Sequence, residues 1–342
     1  MTQALDPVAL VTLLTPFNAI QRTLSLFMLH DSPITNHESR ATDLRSALRD
    51  AIALLELKQM PSAPLAAELL LMHTLGQDRA WLYAHSEHQL DAAARRQYSS
   101  LIEQRASGVP TQHLTGHQEF WGLDFEVTPD VLIPRPETEH VIEVALERLG
   151  VETGDDSPRR YAEFLIADVG TGSGCIAVAL AHELSGARII ATDISSAALK
   201  VAVRNAERHG VASRIDFMEC NLLNALFHES RITNHESRAL DLVASNPPYI
   251  GRCEAGTLPR EVGEHEPHSA LFGGEQGTEL YEPLIKQAAK LLKSGGTLVL
   301  ELGHESAEHV AHLLNATEWT GVSFTKDLAG IERVASAQRI PR

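Results

Sequence analysis

Cysteine is scarce in this chain. The three present, Cys175, Cys220 and Cys253, form neither a CxxC pair nor an even framework, so neither a disulfide scaffold nor a structural zinc is expected and the chain reads as reduced and intracellular, with the cytoplasm as its expected location. Positive charge is also short. The 29 Lys and Arg against 45 Asp and Glu leave a formal net charge of −16, which opposes stable binding of a long nucleic-acid backbone by counterion release. Long uninterrupted apolar runs are missing too. Residues 8–29 come nearest, but Pro16, Asn18, Gln21 and Arg22 break the run and the only charge ahead of it is acidic, Asp6. No signal peptide or membrane contact follows; residues 1–41 are expected to be a poorly ordered or loosely helical extension.

What remains is ordinary globular material. At 44% hydrophobic and 22% charged over 342 residues, the chain can fill one large core and one small one. From Thr42 to about Arg105 the apolar spacing is helical: Leu44, Ala47, Leu48, Ala51, Leu54 and Leu55, then Ala66, Leu69, Leu70, Met72 and His73 after the breaks at Pro61 and Pro64. A third segment runs from near Asp91 to before Gly108. This predicts a small helical bundle over 42–111. Short strand-like runs with Gly122 and Pro129 as punctuation then predict a hairpin linker over 112–136.

From 137 to 342 strands alternate with helices. FLIADVG, RIIATDI, RIDFMEC, DLVASN and GTLVLEL read as strands, with AVALAHEL, AALKVAVRNAERHG and LYEPLIKQAAKLL between them. The pattern predicts an α/β fold, a mostly parallel sheet with helices on both faces and ligands at the carboxyl ends of the strands. One repeat stands apart: ITNHESR at 34–40 recurs at 232–238, with HESR also at 228–231. Copies so far apart make no solenoid, and they read as insertions at tolerant surface points.

The first of these strands runs into Asp168-Val-Gly170-Thr171-Gly172-Ser173-Gly174. A dinucleotide fingerprint would need its third glycine where Cys175 stands, so NAD fits poorly. Asp193 ends the next strand, where a carboxylate can accept both hydroxyls of a ribose. Asp168 can serve an ammonium group, directly or through water. The fourth strand stops at Ser245-Asn246-Pro247-Pro248-Tyr249. Two prolines cannot continue a ladder. At that point, beside the glycine loop, the Asn246 side-chain carbonyl and the Pro247 backbone carbonyl can take the two N–H bonds of a planar –NH2 group, and Tyr249 can lie flat against it. Positioning and acceptor dipoles then supply the effect, and no perturbed base is needed.

Four stretches, QHLTGHQEFWGLDFEVTPDVLIPRPETE (112–139), DVGTGSGCIAVAL (168–180), SNPPYI (245–250) and EPHSALFGGEQGTELY (266–281), resemble the peptide chain release factor glutamine methyltransferases. The resemblance covers about 42–342. It implies a seven-stranded Rossmann-like class I methyltransferase domain, joined by a β-hairpin to the small N-terminal helical bundle. The implied reaction moves a methyl group from S-adenosyl-L-methionine to the side-chain N5 of the glutamine in the Gly-Gly-Gln motif of class 1 release factors. Residues 170–174 would line the methionine and ribose, Asp193 would bind the ribose hydroxyls, and Asn246 to Tyr249 would hold the glutamine amide. Asn246 also borders the cofactor. The helical domain would help engage the release factor, the enzyme acting as a monomer. Arg135 and Glu137 in the PRPET turn would brace the linker.

The chain departs from the family pattern near the adenine. Where many members carry an acid and an aromatic residue, it has Asn221 and Leu222; Asn can still accept from an adenine amino group and Leu can still pack on the ring. The rival enzyme is one that methylates N6 of adenine or N2 of guanine in nucleic acid, since NPPY suits any planar –NH2, but that needs a basic groove or a target-reading domain. The rival of another class is a binding module with an inactive nucleoside fold, which gives no reason for Asn246 and Tyr249 together. His265, His268, His304 and His309 lack metal-ligand spacing, and no metal is expected.

Overall fold

Three helix starts in the N-terminal part are fixed by aspartates. In a computed structural model, which describes residues 42–151, 158–227, 239–315 and 317–341, Asp43 caps α1 (Leu44–Leu57), Asp78 caps α3 (Arg79–Ala84) and Asp91 caps α4 (Ala92–Ala106). Each carboxylate accepts a backbone N–H three residues on, at 2.7 to 2.8 Å. A cap of this kind contributes about 1 kcal/mol. With α2 (Ala63–Leu75) these helices enclose Leu44, Leu55, Ala67, Leu70, Leu71 and Ile102. Tyr98 is buried with them and its hydroxyl donates to the Ala67 carbonyl. The apolar face of α2 is turned about one residue from the expected stripe: Ala63, Ala66, Ala67, Leu70 and Leu71 are inside, Leu69 and Met72 are half-buried, and His73 is exposed. In a helix apolar nearly all round, periodicity gives a weak phase.

A short helix, α5 (Thr111–Thr115), leads to β1 (His117–Phe120) and β2 (Leu123–Glu126), an antiparallel hairpin turned by Trp121 and Gly122, both at positive φ. Such a two-residue turn matches the right-handed twist of the strands. After a 3-10 turn at Pro136–Thr138 come α6 (Glu139–Leu149), β3 (Leu165–Val169), α7 (Cys175–Glu183), β4 (Arg188–Asp193), α8 (Ser196–Arg208), β5 (Ile215–Glu219) and β6 (Leu240–Ser245). α9 (Tyr281–Leu291), β7 (Leu292–Glu301), α10 (Ala307–Leu314), β8 (Trp319–Lys326) and β9 (Glu332–Arg339) complete the chain.

The seven-stranded sheet has the order β8-β9-β7-β6-β3-β4-β5. β3 to β7 are parallel; β9 runs antiparallel to both β7 and β8. This last pair escaped the strand-by-strand reading of the sequence. β8 is half-exposed along most of its length and gives no clean alternation. One layer of core lies under α6, α7 and α8, with Ile142, Ile166, Leu180 and Ile189; the other lies under α9 and α10, with Val243, Leu284, Leu300 and Val310. Among the described residues no helix is long and apolar enough to cross a membrane. Residues 1–41 and both ITNHESR copies lie outside the described residues.

Candidate active site

Strand order reverses at β3. Its chain neighbour β4 lies on one side and β6 on the other, so the connections leave in opposite directions and open a crevice at the carboxyl ends of the strands. A cavity of about 320 Å³ fills it, walled by Gly170, Gly172, Asp193, Asn221, Leu222 and the Asn246-Pro247-Pro248 run, with Val131 and Leu132 from the linker across from them.

The glycine loop owes its shape to hydrogen bonds from below. Gly170 and Thr171 donate their N–H groups to the Thr192 carbonyl at 2.8 and 2.9 Å. The fully buried Asp168 accepts the Thr171 hydroxyl at 2.6 Å and the Ala177 N–H at 3.0 Å on one oxygen, while Oδ1 has no partner among the described residues. Burial pushes this carboxyl up to about 7 against the pull of those two donors. Gly170, Gly172 and Gly174 all have positive φ, where a side chain is strained. At Gly174 a Cβ would also come within 3.0 Å of Ala202 on α8. The loop thus turns tightly into α7, with Asp168, Thr171, Ser173 and Gly174 behind it and Gly170 and Gly172 on the cavity.

Asp193, at the end of the neighbouring strand, stands against the loop. Each of its oxygens already accepts one backbone N–H, Gly172 at 2.9 Å and Ser195 at 2.8 Å, and each keeps a lone pair for a ligand. Burial raises its pKa, opposed by the N–H groups of Ser195, Gly172 and Ile194. A carboxylate so held, facing a cavity floored by bare backbone, fits a vicinal diol and the nucleoside that carries it. Leu222, at positive φ, presents an apolar wall beside Asn221.

On the far side of Asn246 a second cavity of about 70 Å³ begins, bordered by Asn246, Pro247, Tyr249 and Arg135. Asn246 donates its side-chain N–H to Thr138 Oγ1 at 3.0 Å, and Tyr249 donates its hydroxyl to Glu301 at 3.3 Å. The Tyr249 ring lies on Gly303, where a Cβ would come within 2.8 Å of it. Arg135 pairs with the buried Glu266, whose other oxygen accepts the Ile133 N–H, so the PRPET turn is tied to the loop after the short turn Arg260–Gly263. Among the histidines, His304 and His309 are exposed, and the exposed His268 opens the short helix His268–Leu271 with its ring set against the Gly263 carbonyl.

The bundle has a larger cavity, about 620 Å³, lined by Leu48, Ile52, Leu71, Leu82 and Tyr83. Its buried carboxylate, Glu68, is already committed to Arg79 and the Tyr83 hydroxyl. Sequence reasoning did not single out Thr138, Glu301, Glu266 or Asn205. Glu301 and Asn205 are polar residues at or within an apolar stretch, and that was the available signal: LVLELG carries a charge at the end of a strand, and Asn205 falls on the apolar face of α8; Thr138 in PRPETEH and Glu266 in GEHEPH sit among polar residues and carry no such signal.

Residues 46–116 match the family model described as PrmC N-terminal domain, and residues 166–245 match one described as Methyltransferase domain. The chain is 41% identical over 296 residues to the release factor glutamine methyltransferase of Koribacter versatilis, covering 86% of this chain and 98% of that protein. The namesake from Bradyrhizobium diazoefficiens is 40% identical over 299 residues, 87% of this chain and 95% of that protein. Among solved structures, the hMettl16 catalytic domain in complex with MAT2A 3'UTR hairpin 6 superposes with a TM-score of 0.50 at 18% identity, over 70% of this chain and 84% of that chain; this likeness is one of fold.

Proposed function

The chain belongs to the release factor glutamine methyltransferase family, and on that premise we propose which of its atoms carry the reaction. The enzyme transfers a methyl group from S-adenosyl-L-methionine to a glutamine side chain of a release factor. When bound, the cofactor supplies an electrophilic methyl group on a sulfonium. Everything else is positioning. Gly170 and Gly172 let the backbone approach the cofactor, Asp193 accepts its ribose hydroxyls, Asn221 accepts from the adenine amino group and Leu222 packs on the ring. Asp168, Thr171, Ser173 and Gly174 hold the loop that does this.

Across Asn246, the target amide nitrogen has its lone pair delocalised and is a poor nucleophile. The Asn246 side-chain oxygen and the Pro247 backbone carbonyl take its two N–H bonds, while Pro248 and Tyr249 confine its plane. As positive charge develops on the nitrogen these fixed acceptor dipoles gain strength, with no reorganisation needed at the moment of transfer. The observation that carries the reading is that Asn246 borders both cavities, one walled by the glycine loop and Asp193 and the other by Tyr249.

The finer parts of the reading come from the family resemblance and from composition. The target is the glutamine N5 of the Gly-Gly-Gln loop in class 1 release factors, the helical bundle helps engage the factor, and the enzyme works as a cytoplasmic monomer with no stable hold on nucleic acid or membrane. A net charge of −16 favours a protein substrate over a polyphosphate backbone. The test is methyl transfer from labelled S-adenosylmethionine to release factor, with and without the Gly-Gly-Gln glutamine, beside duplex DNA. Label that vanishes with the glutamine supports the reading; label in DNA overturns it.

A further inference from the structure

An asparagine amide has two ends of nearly equal shape and opposite function. Turned one way Asn246 offers an oxygen that accepts a substrate N–H; turned the other way it offers an –NH2 that would face another –NH2. The choice is made on the side away from the substrate, at Thr138. Thr138 is buried and its hydroxyl carries one proton. If that proton is committed elsewhere, the Thr138 oxygen can only accept, and Asn246 must donate to it, as it does at 3.0 Å.

Glu301, at the end of β7, is the group that can take the proton. Its carboxylate is enclosed at 1% exposure. Oε1 accepts the Tyr249 hydroxyl at 3.3 Å, whereas Oε2 has no aligned donor among the described residues. The Thr138 hydroxyl lies close enough to favour the ionised carboxylate. A buried carboxylate oxygen with an unused lone pair has the strongest claim on that proton.

We propose that Glu301 is a positioning residue for the transfer: as a carboxylate it takes the hydroxyl protons of Thr138 and Tyr249, and so obliges Asn246 to present its carbonyl oxygen to the substrate amide. The inference rests on the reading that Asn246 holds the glutamine. Protonated, Glu301 can instead donate to the Thr138 oxygen. Thr138 is then free to donate to Asn246, the amide turns over, and the substrate loses its acceptor.

The surroundings set where this reversal falls. Burial pushes the Glu301 carboxyl up to about 7; the hydroxyls of Thr138 and Tyr249 and the charge of Arg333 pull it down, and Glu137 pushes it up. Tyr281 donates to the Glu301 backbone carbonyl, and the thiol of the buried Cys175 also feels the charge. The accepting form therefore fills as pH rises through about 7.

The test uses the full-length enzyme with unmodified release factor, comparing wild type with Glu301→Gln, Thr138→Val and Thr138→Ser. Single-turnover rates, KM for release factor and the dissociation constant of S-adenosylmethionine are measured for each. Glu301→Gln and Thr138→Val are expected to slow transfer roughly ten- to a hundredfold, the loss of about one buried acceptor bond, while cofactor binding stays within about twofold by the same reasoning, since neither residue borders the cofactor cavity. Thr138→Ser, which keeps the hydroxyl, should restore the rate. The wild-type rate should rise with pH through about 7, and that of Glu301→Gln should be flat there. A Glu301→Gln enzyme with wild-type rate and pH profile overturns the proposal. Loss of cofactor binding in step with the rate overturns it as well, by making Glu301 a support of the fold. An inactive wild type removes the functional reading, and the inference with it.

Discussion

Asn205 and Glu126 hydrogen-bond each other in both directions, the Glu126 N–H donating to the Asn205 side-chain oxygen at 2.8 Å and the Asn205 amide donating back to the Glu126 carbonyl at 3.0 Å. The same amide donates to the Ser173 carbonyl at 2.9 Å. One buried side chain on α8 therefore ties the hairpin to the back of the glycine loop. Asn205→Ala would leave three backbone groups without this partner, the buried Ser173 carbonyl and the half-buried Glu126 N–H and carbonyl. A loss of about 2–4 kcal/mol of stability is expected, read by chemical denaturation, with weaker S-adenosylmethionine binding because the loop is no longer held.

Asn246→Ala removes an acceptor for the substrate but leaves Asp193 and the glycine loop intact. Cofactor affinity should stay within a few-fold of wild type, measured by calorimetry, while the single-turnover rate falls on the order of a hundred- to a thousandfold. Equal loss of both would make Asn246 a cap on β6 and nothing more.

Gly303→Ala places a methyl group against the Tyr249 ring. The ring must tilt away from the substrate plane, so transfer should slow about tenfold, with a stability cost of about 1–3 kcal/mol typical of overpacking. Cofactor binding should be spared. Unchanged transfer would mean that the angle of the Tyr249 ring is immaterial.

Asp168 makes a prediction about pH. Its folded pKa is raised from the carboxylate range to about 7, so between about pH 5 and 7 the folded state holds a proton that the unfolded chain has released. Stability then falls as pH rises across that window and levels off above it. Asp168→Asn should flatten the slope by one proton, roughly 1.4 kcal/mol per pH unit, which unfolding curves at stepped pH would reveal. Glu301→Gln should flatten it again, since that carboxyl is raised in the same way.

The parts of the site that were legible in the sequence are those written in consecutive residues. The glycine loop, Asp193 at the end of its strand and the NPPY stop each announce themselves within a few positions. Thr138 and Glu301 do not, because their meaning lies in partners far along the chain: Asn246 bonds Thr138 across 108 residues, and Arg135 meets Glu266 across 131. The fold shows the same division. Buried parallel strands read as apolar runs, whereas the β8–β9 hairpin, half-exposed and irregular in register, gave no period to follow. In α2 the helix was legible but its phase was not, for want of a polar face.

The two cavities meet at Asn246 and Pro247, which line both. An amide and a proline offer no atom able to carry a methyl group between them, so donor and acceptor must face each other through the gap in a single displacement. A methyl group made chiral with hydrogen, deuterium and tritium should accordingly arrive on the glutamine with its handedness inverted.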